Sequence, residues 1–318
     1  MLEGYVRELN RRISDADLKE DVETSHLARK LHAILLEPIA HKIRPERVIC
    51  IVPDKNLSYL PFAALVSDRV NRFFVEDYSF VLSPSATAFV LLSELANTKK
   101  SKDEILLGIG NPAISTTEAS SFAEIPEATQ EVQVIARHYS QAKVLTDGQA
   151  TEASFRNLAG AADVIHIAAH SVANPRSPLL SKLLLAPSET NAASTESADG
   201  ALHAYELFQL GRLPARLAIL SACETGSGRL YQGEGVLHLA RPFLAMGVPV
   251  VVASLWKVDS RQSKELMTIF HQLRVRENLS VVQALRLAQL EMIRRNRVKS
   301  FSWASFQIIG GYSAKGPK

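Results

Sequence analysis

The sequence predicts an α/β fold with a largely parallel sheet covered on both faces. Three observations predict it. Apolar runs of strand length, Ile105–Gly110, Val164–Ala169, Leu217–Leu220 and Val248–Leu255, lack the polar alternation of a half-exposed strand and read as buried on both sides. Helical patterns separate these runs, which is the alternation of parallel sheets. The 318 residues, 47% hydrophobic and 22% charged, can build a sizeable core in one large domain or two small ones.

Residues 1–44 read as helical. Leu27, Leu31, Ile34 and Leu35 fall on one face, and Pro38 and Pro45 break the pattern. That face needs a partner surface, either the sheet behind it or a helical domain outside this chain. Val48–Val52 is a buried strand closed by Pro53–Asn56, and Cys50 inside it is structural. Leu57–Leu65 and Phe73–Leu82 continue as strands or loops. Ser85 caps a helix running to Leu95. The polar stretch Thr98–Asp103 is a linker.

From Glu104 the alternation begins with the strand Ile105–Gly110 and a polar loop, Ser115–Ser121. A helix over Glu127–Tyr139 puts Val132, Ile135, Ala136 and Tyr139 on one side. Ala142–Leu145 is a short strand, and Thr151 caps a helix to Leu158. The strand Val164–Ala169 ends at His170, and Leu183–Ala186 is a further strand. Pro187–Gly200 has no periodicity and reads as a mobile loop. His203–Leu210 is helical. After the strand Leu217–Leu220, a helix from Glu234 to Met246 stops at Gly247. The strand Val248–Leu255 follows. Asp259 caps a helix to Arg274, Ser280–Asn296 is another, and Phe301–Ile309 closes the sheet.

The chemistry gathers at two strand ends. Cys223 stands in Leu220-Ser-Ala-Cys223-Glu-Thr-Gly226, just past the carboxyl end of a strand, where open α/β sheets bind ligands. His170, about 53 residues upstream, has the same placement. If the two strands are neighbours, His170 and Cys223 meet at one edge of the sheet, and a Cys–His pair is a nucleophile arrangement. Taken singly, each has a plainer reading, the cysteine as a small core residue and the histidine as a turn residue.

Other chemistries fit less well. His166, His170 and Cys223 together suggest a metal, but four residues in a strand span roughly 13 Å, and no further ligands stand at metal spacing. His166 therefore reads as a strand residue beside or beneath the site. Gly226, Gly228, Gly233 and Gly235 lack the spacing of a nucleotide-binding loop. Neither metal nor cofactor is expected. A net charge of +3 is too small to indicate a nucleic-acid or membrane partner. No apolar run reaches about 18 residues, and the N-terminus has no apolar signal segment. Two cysteines, Cys50 and Cys223, give no disulfide framework, so a cytoplasmic, reducing compartment is expected.

Several motifs carry a family resemblance. His166-Ile-Ala-Ala-His170-Ser, Asn174-Pro175, Ser177-Pro178-Leu179-Leu180-Ser181 and Leu183-Leu-Leu-Ala-Pro187 resemble the histidine region of CHAT-domain proteases, bacterial relatives of caspases and separases. So do Asp199-Gly200-Ala-Leu202, Leu220-Ser-Ala-Cys223-Glu-Thr-Gly226, Gly233-Glu234-Gly235 and Ser254-Leu255-Trp256-Lys-Val258-Asp259. The resemblance runs from about Ile34 to Gly311. It implies a caspase-like three-layer α/β/α sandwich with a largely parallel sheet, in which residues 101–318 are the protease core and residues 1–100 an N-terminal supporting region of helices and strands.

The resemblance also implies a cysteine endopeptidase acting on protein substrates. His170 and Cys223 would form a dyad, with a backbone carbonyl orienting the histidine. The backbone N–H groups of Cys223 and of the residue after the histidine, here Ser171 where relatives carry glycine, would hold the oxyanion. Asp259 resembles the acid that receives arginine in separases; its plainer role is to cap the following helix. A regulatory protein or an upstream helical-repeat domain is an implied partner, although no 34-residue repeat occurs here. The alternative is a catalytically silent module serving as a scaffold or sensor.

Overall fold

The apolar runs assemble into a single sheet of eight strands, with helices on both faces. In this computed structural model, residues 1–14, 22–99, 103–114, 122–174, 176–188, 199–221, 223–224, 234–256, 259–296 and 300–317 are described. The strands are β1 (Val48–Ile51), β2 (Val66–Ser67), β3 (Arg72–Phe73), β4 (Ser79–Leu82), β5 (Ile105–Pro112), β6 (Gln141–Asp147) and β7 (Val164–Ala168). They continue with β8 (His170–Val172), β9 (Lys182–Leu184), β10 (Ala201–His203), β11 (Leu217–Leu220), β12 (Cys223–Glu224), β13 (Val250–Ser254) and β14 (Phe306–Gly310).

The large sheet has the order β1-β4-β14-β13-β11-β7-β5-β6. Its pairs are parallel except β13 with β14. Five strands therefore run one way, three run the other, and one antiparallel seam joins them. The last strand does not close the sheet at its edge: β14 lies inside it, fully buried, between β13 and β4.

Period-two alternation divides the core between the two faces. On one face Val164, Leu217, Ile219, Val250 and Val252 share a cluster with Ile135, Leu266, Phe270, Leu285 and Met292 of the helices Pro126–Ala136, Ser260–Arg276 and Val281–Asn296. On the other, Ile165, Ile167, Ala218, Leu220, Val251 and Ala253 pack with Phe155, Leu207, Leu239 and Phe243 of the helices Glu152–Ala159, Ala204–Leu207 and Glu234–Ala245. This is the three-layer α/β/α sandwich. Each fully buried Leu, Ile, Val or Phe contributes about 1.5–3 kcal/mol by leaving water.

The N-terminal helices, Leu2–Ser14 and Val22–Leu35, find their partner surface within this chain. Val6, Leu9, Leu27 and Leu31 join the first cluster beside Leu60 and Leu65. Ile34, expected on the buried face, is 45% exposed. Leu57–Leu65 forms no strand. Two 3-10 turns, Lys55–Tyr59 and Phe62–Ala64, occupy it, because Pro61 interrupts any ladder there. Phe73–Leu82 holds a one-turn helix, Phe74–Asp77, before β4.

The expected caps are present. Ser85 and Thr151 accept from the N–H groups of Ala88 and Ser154. Gly247 ends its helix at φ +87°, a conformation that favours glycine. The loop over Ser115–Ser121, most of the Pro187–Gly200 loop, the centre of the Thr98–Asp103 linker and the Gly226–Gly233 stretch lie outside the described residues. Among the described residues no helix is long and apolar enough to cross a membrane.

Candidate active site

The strands carrying His170 and Cys223 are neighbours twice over. In the large sheet β7 and β11 pair in parallel, Leu217 opposite Val164 through Leu220 opposite Ile167. Beyond that edge the chains re-pair as β8 and β12, with Cys223 opposite His170 and Glu224 opposite Ser171. The sequence offset is unchanged from one sheet to the other, so no register slip intervenes. Parallel partners lie about 4.8 Å apart. β9 and β10 complete this small sheet, in the order β10-β9-β8-β12. The expected strand Leu183–Ala186 thus belongs to the small sheet, antiparallel to β8.

His170 is 6% exposed. Its Nε2 lies 2.7 Å from the carbonyl oxygen of Ala123. A carbonyl only accepts, so Nε2 carries the hydrogen and donates. In the neutral ring the basic lone pair then belongs to Nδ1. The Phe122 ring lies against the imidazole, with centroids 5.2 Å apart and planes at 41°. Ala123 left no signal in the sequence, because a backbone carbonyl carries no residue identity.

Ser171 adopts strand backbone and is not among the residues with positive φ, so serine carries no backbone penalty there. Its side chain is buried, and the hydroxyl has no hydrogen-bond partner among the described residues. Asp259 caps the helix Ser260–Arg276. Its Oδ1 accepts from the N–H of Arg261 at 2.9 Å and of Gln262 at 3.3 Å. β13, which precedes it, runs parallel to β11, so Asp259 follows a strand that ends on the same edge as Cys223.

His166, on β7 four residues before His170, is fully buried. Its Nε2 is 2.7 Å from Glu131 Oε1 and its Nδ1 is 3.1 Å from His271 Nε2. His271 Nδ1 lies 2.8 Å from the Tyr139 hydroxyl, which accepts from Arg274 Nη1 at 3.2 Å. The hydrogens have one consistent direction. Arg274 donates to Tyr139, Tyr139 to His271, His271 to His166, and His166 to the Glu131 carboxylate. Burial, with the neighbouring His166 and Arg274, holds His271 well below the usual histidine range and keeps it neutral. Glu131 shares a helix face with Ala128, Val132 and Ile135. A glutamate on an apolar face is the sequence signal for this chain of bonds. Among the described residues no three His, Cys, Asp or Glu side chains group as metal ligands.

A second polar cluster supports the small sheet. Arg156 pairs with Glu152 at 2.6 Å and with Glu206 at 3.2 Å, and the other Glu206 oxygen accepts from the His203 N–H at 2.8 Å. Burial, reinforced by repulsion from Glu206, raises the Glu152 carboxyl to about 7 despite its bond to Arg156. A folded-state value raised above the unfolded value of about 4.3 means that the fold binds this proton more tightly. The resulting penalty is absent below about pH 4.3 and fully present above about pH 7. Glu152→Gln is therefore expected to raise the melting temperature at pH 8 relative to wild type, and to raise it by much less at pH 5. A difference between the two melts that is the same at both values would show that Glu152 titrates normally.

The CHAT domain family model matches residues 25–311. Two curated relatives, Tetratricopeptide repeat protein 28 of Mus musculus and of Homo sapiens, are each 24% identical over 89% of this chain. The chain spans 13% of the length of each. Among solved structures, Saccharomyces cerevisiae separase in complex with securin superposes with a TM-score of 0.54 at 16% identity, covering 89% of this chain and 17% of that one. The Arg specific cysteine proteinase gingipain R (RgpB), of Porphyromonas gingivalis, does so with a TM-score of 0.51 at 10% identity, covering 99% and 75%. These likenesses show the shared caspase-like fold. The family match covers nearly the whole of the sandwich, and the chain belongs to the CHAT domain family.

Proposed function

We propose that the chain is a cysteine endopeptidase acting through a Cys223–His170 dyad. One observation carries this reading: Cys223 stands in register opposite a histidine whose Nε2 is committed to a carbonyl, leaving Nδ1 as the base. A free thiol has a pKa near 8.5, so only a few per cent is thiolate at neutral pH. In the proposed reaction Nδ1 takes the thiol proton and the sulfur attacks the substrate carbonyl carbon. The backbone N–H groups of Cys223 and Ser171 hold the oxyanion. His170 then returns its proton to the departing amine, leaving an acyl-enzyme, and later draws a proton from the water that hydrolyses it. Residues 1–100 support this core.

The substrate is a protein, and a regulatory partner or a helical-repeat region governs access to it. Separase was solved bound to securin, and the curated relatives are named for tetratricopeptide repeats. The same curated names, which do not describe proteases, favour a second reading, a catalytically silent scaffold. Peptide cleavage by the purified chain, with Cys223→Ala as control, separates the two readings.

Asp259 is assigned to the pocket for a basic side chain preceding the scissile bond. It is exposed, it follows β13 on the dyad edge, and gingipain R is specific for arginine. Asp259→Asn keeps an oxygen for the helix cap but removes the charge. Losing a desolvated carboxylate–guanidinium pair costs ~2–5 kcal/mol, or roughly 30- to several-thousand-fold in kcat/KM. The variant is expected to lose that much on peptides with Arg or Lys at this position. Unchanged cleavage of basic-site peptides would leave Asp259 as a cap alone.

A further inference from the structure

The Ala123 carbonyl that holds His170 belongs to a stretch, residues 122–125, with no regular structure of its own. Something else must fix it. Two residues on, the Ile125 N–H is taken by Asn111 Oδ1 at 2.9 Å. Among the described residues, Asn111 and His170 are the only side chains bonded to the backbone of this stretch. Asn111 is the extra residue in a bulge of β5. Gly110 pairs with Thr146 and Pro112 with Asp147, and the register shifts between them. A bulge at a strand end re-aims a side chain that would otherwise point across the sheet.

The backbone of Asn111 is left-handed, φ 49°, a region that asparagine enters more readily than most residues. Its Nδ2 lies 3.5 Å from Asp147 Oδ1, on the neighbouring strand. The helix that follows Ile125 is held close to the same strand end. A Cβ on Gly110 would meet the Ala128 carbonyl oxygen at 2.5 Å and Val132 Cγ2 at 2.6 Å, so only glycine allows that approach.

We infer that Asn111 is a positioning residue for the dyad: through the Ile125 N–H it sets the Ala123 carbonyl, and through that carbonyl the orientation and tautomer of His170. The inference rests on the dyad reading above. Asn111 acts at one remove. A carbonyl displaced from Nε2 no longer stabilises the imidazolium or selects Nδ1 as the base. The competing role is local, a residue chosen only for its left-handed backbone. Glycine separates the two roles, because it adopts that backbone without strain and has no acceptor.

The test compares wild type, Asn111→Gly and the exchange variant that joins Asn111→Asp to Asp147→Asn, each as the full chain with Cys50→Ala. Three quantities are measured: the pH dependence of Cys223 alkylation by iodoacetamide, kcat and KM on a peptide substrate, and the melting curve. Wild type is expected to alkylate with an inflection well below pH 8.5. In Asn111→Gly the inflection is expected to rise by about one unit, which slows alkylation at pH 6.5 about tenfold. Its kcat is expected to fall ~10–100-fold with KM little changed. The exchange keeps an acceptor at position 111 and a donor at position 147 without setting two carboxylates 3.5 Å apart, and is expected to stay near wild type.

A folded Asn111→Gly with the wild-type profile and kcat would overturn the inference and leave the dyad standing. A wild type with an ordinary thiol profile and no cleavage would overturn the dyad reading, and this inference with it. If Asn111→Gly does not melt cooperatively, the other variant decides. A folded exchange variant that has lost the wild-type profile overturns the inference, and one that keeps it supports the acceptor role.

Discussion

Cys223→Ala is expected to abolish peptide cleavage, by about 10,000-fold or more in kcat, without unfolding the chain. It removes the nucleophile and leaves the strand pairing around it unchanged. His170→Ala should lose nearly as much, and the double variant no more than either alone, because groups that act as a unit do not add. Cys50→Ala is the internal control. Burial raises the Cys50 thiol pKa, which makes it a poor nucleophile at neutral pH. It also sits in β1, and β4, β14 and β13 separate β1 from β11. At about 4.8 Å per strand that is roughly 19 Å from the dyad strands. Cys50→Ala should keep its kcat and lose a modest amount of stability. A folded, inactive Cys50→Ala beside an active Cys223→Ala would mean that the site had been placed on the wrong cysteine.

The sheet was legible because its strands are buried on both faces and read as unbroken apolar runs, as in Val164–Ala168 and Leu217–Leu220. The equal placement of His170 and Cys223 at two such strand ends was legible for the same reason. Strand order was not legible. Nothing in Phe306–Gly310 says that it lies between β13 and β4 rather than at an edge, because side-chain pattern reports burial and not neighbours. The small sheet was hidden too, since strands of two or three residues are too short for periodicity to register. The residues around His170 divide in the same way. The imidazole was visible as a residue type at a strand end. Its orienting group, the Ala123 carbonyl, comes from a loop 47 residues away and is a backbone atom. Glu131 left a trace as a charge on an apolar helix face, which is a conflict between pattern and burial. Its resolution, a bond to His166, needed the fold.

Glu104→Gln is expected to be the most destabilising single change outside the apolar core. Glu104, Asp163 and Arg216 each immediately precede one of the adjacent strands β5, β7 and β11, and they tie those strand starts together. Asp163 Oδ2 accepts from the Ile105 N–H at 2.9 Å, and Arg216 Nη1 lies 3.3 Å from Glu104 Oε1. Arg274, from the helix Ser260–Arg276, closes a two-pronged pair on both Glu104 oxygens, with Nη1 2.7 Å from Oε2. Arg274 is 2% exposed and Glu104 5%, so neither partner can turn to water. The carboxylate raises the Arg274 pKa above its ordinary value against the cost of burial. Two guanidinium groups thus share one carboxylate. Removing that charge leaves a buried cation with no anion, a loss of ~3–5 kcal/mol, or roughly 4–8 °C in melting temperature for a chain of this size. Arg274→Met should cost less, because Arg216 remains to balance Glu104 and methionine fills the vacated space. Glu104→Leu combined with Arg274→Met should be more stable than Glu104→Gln alone, since the fully buried guanidinium is then gone and the one that remains, Arg216, is partly exposed and still near Asp163. If Arg274→Met melted below Glu104→Gln, Arg216 would not be serving as the second counter-charge. The pair would then be held by its hydrogen bonds to Tyr139 and Glu104 more than by its charge balance.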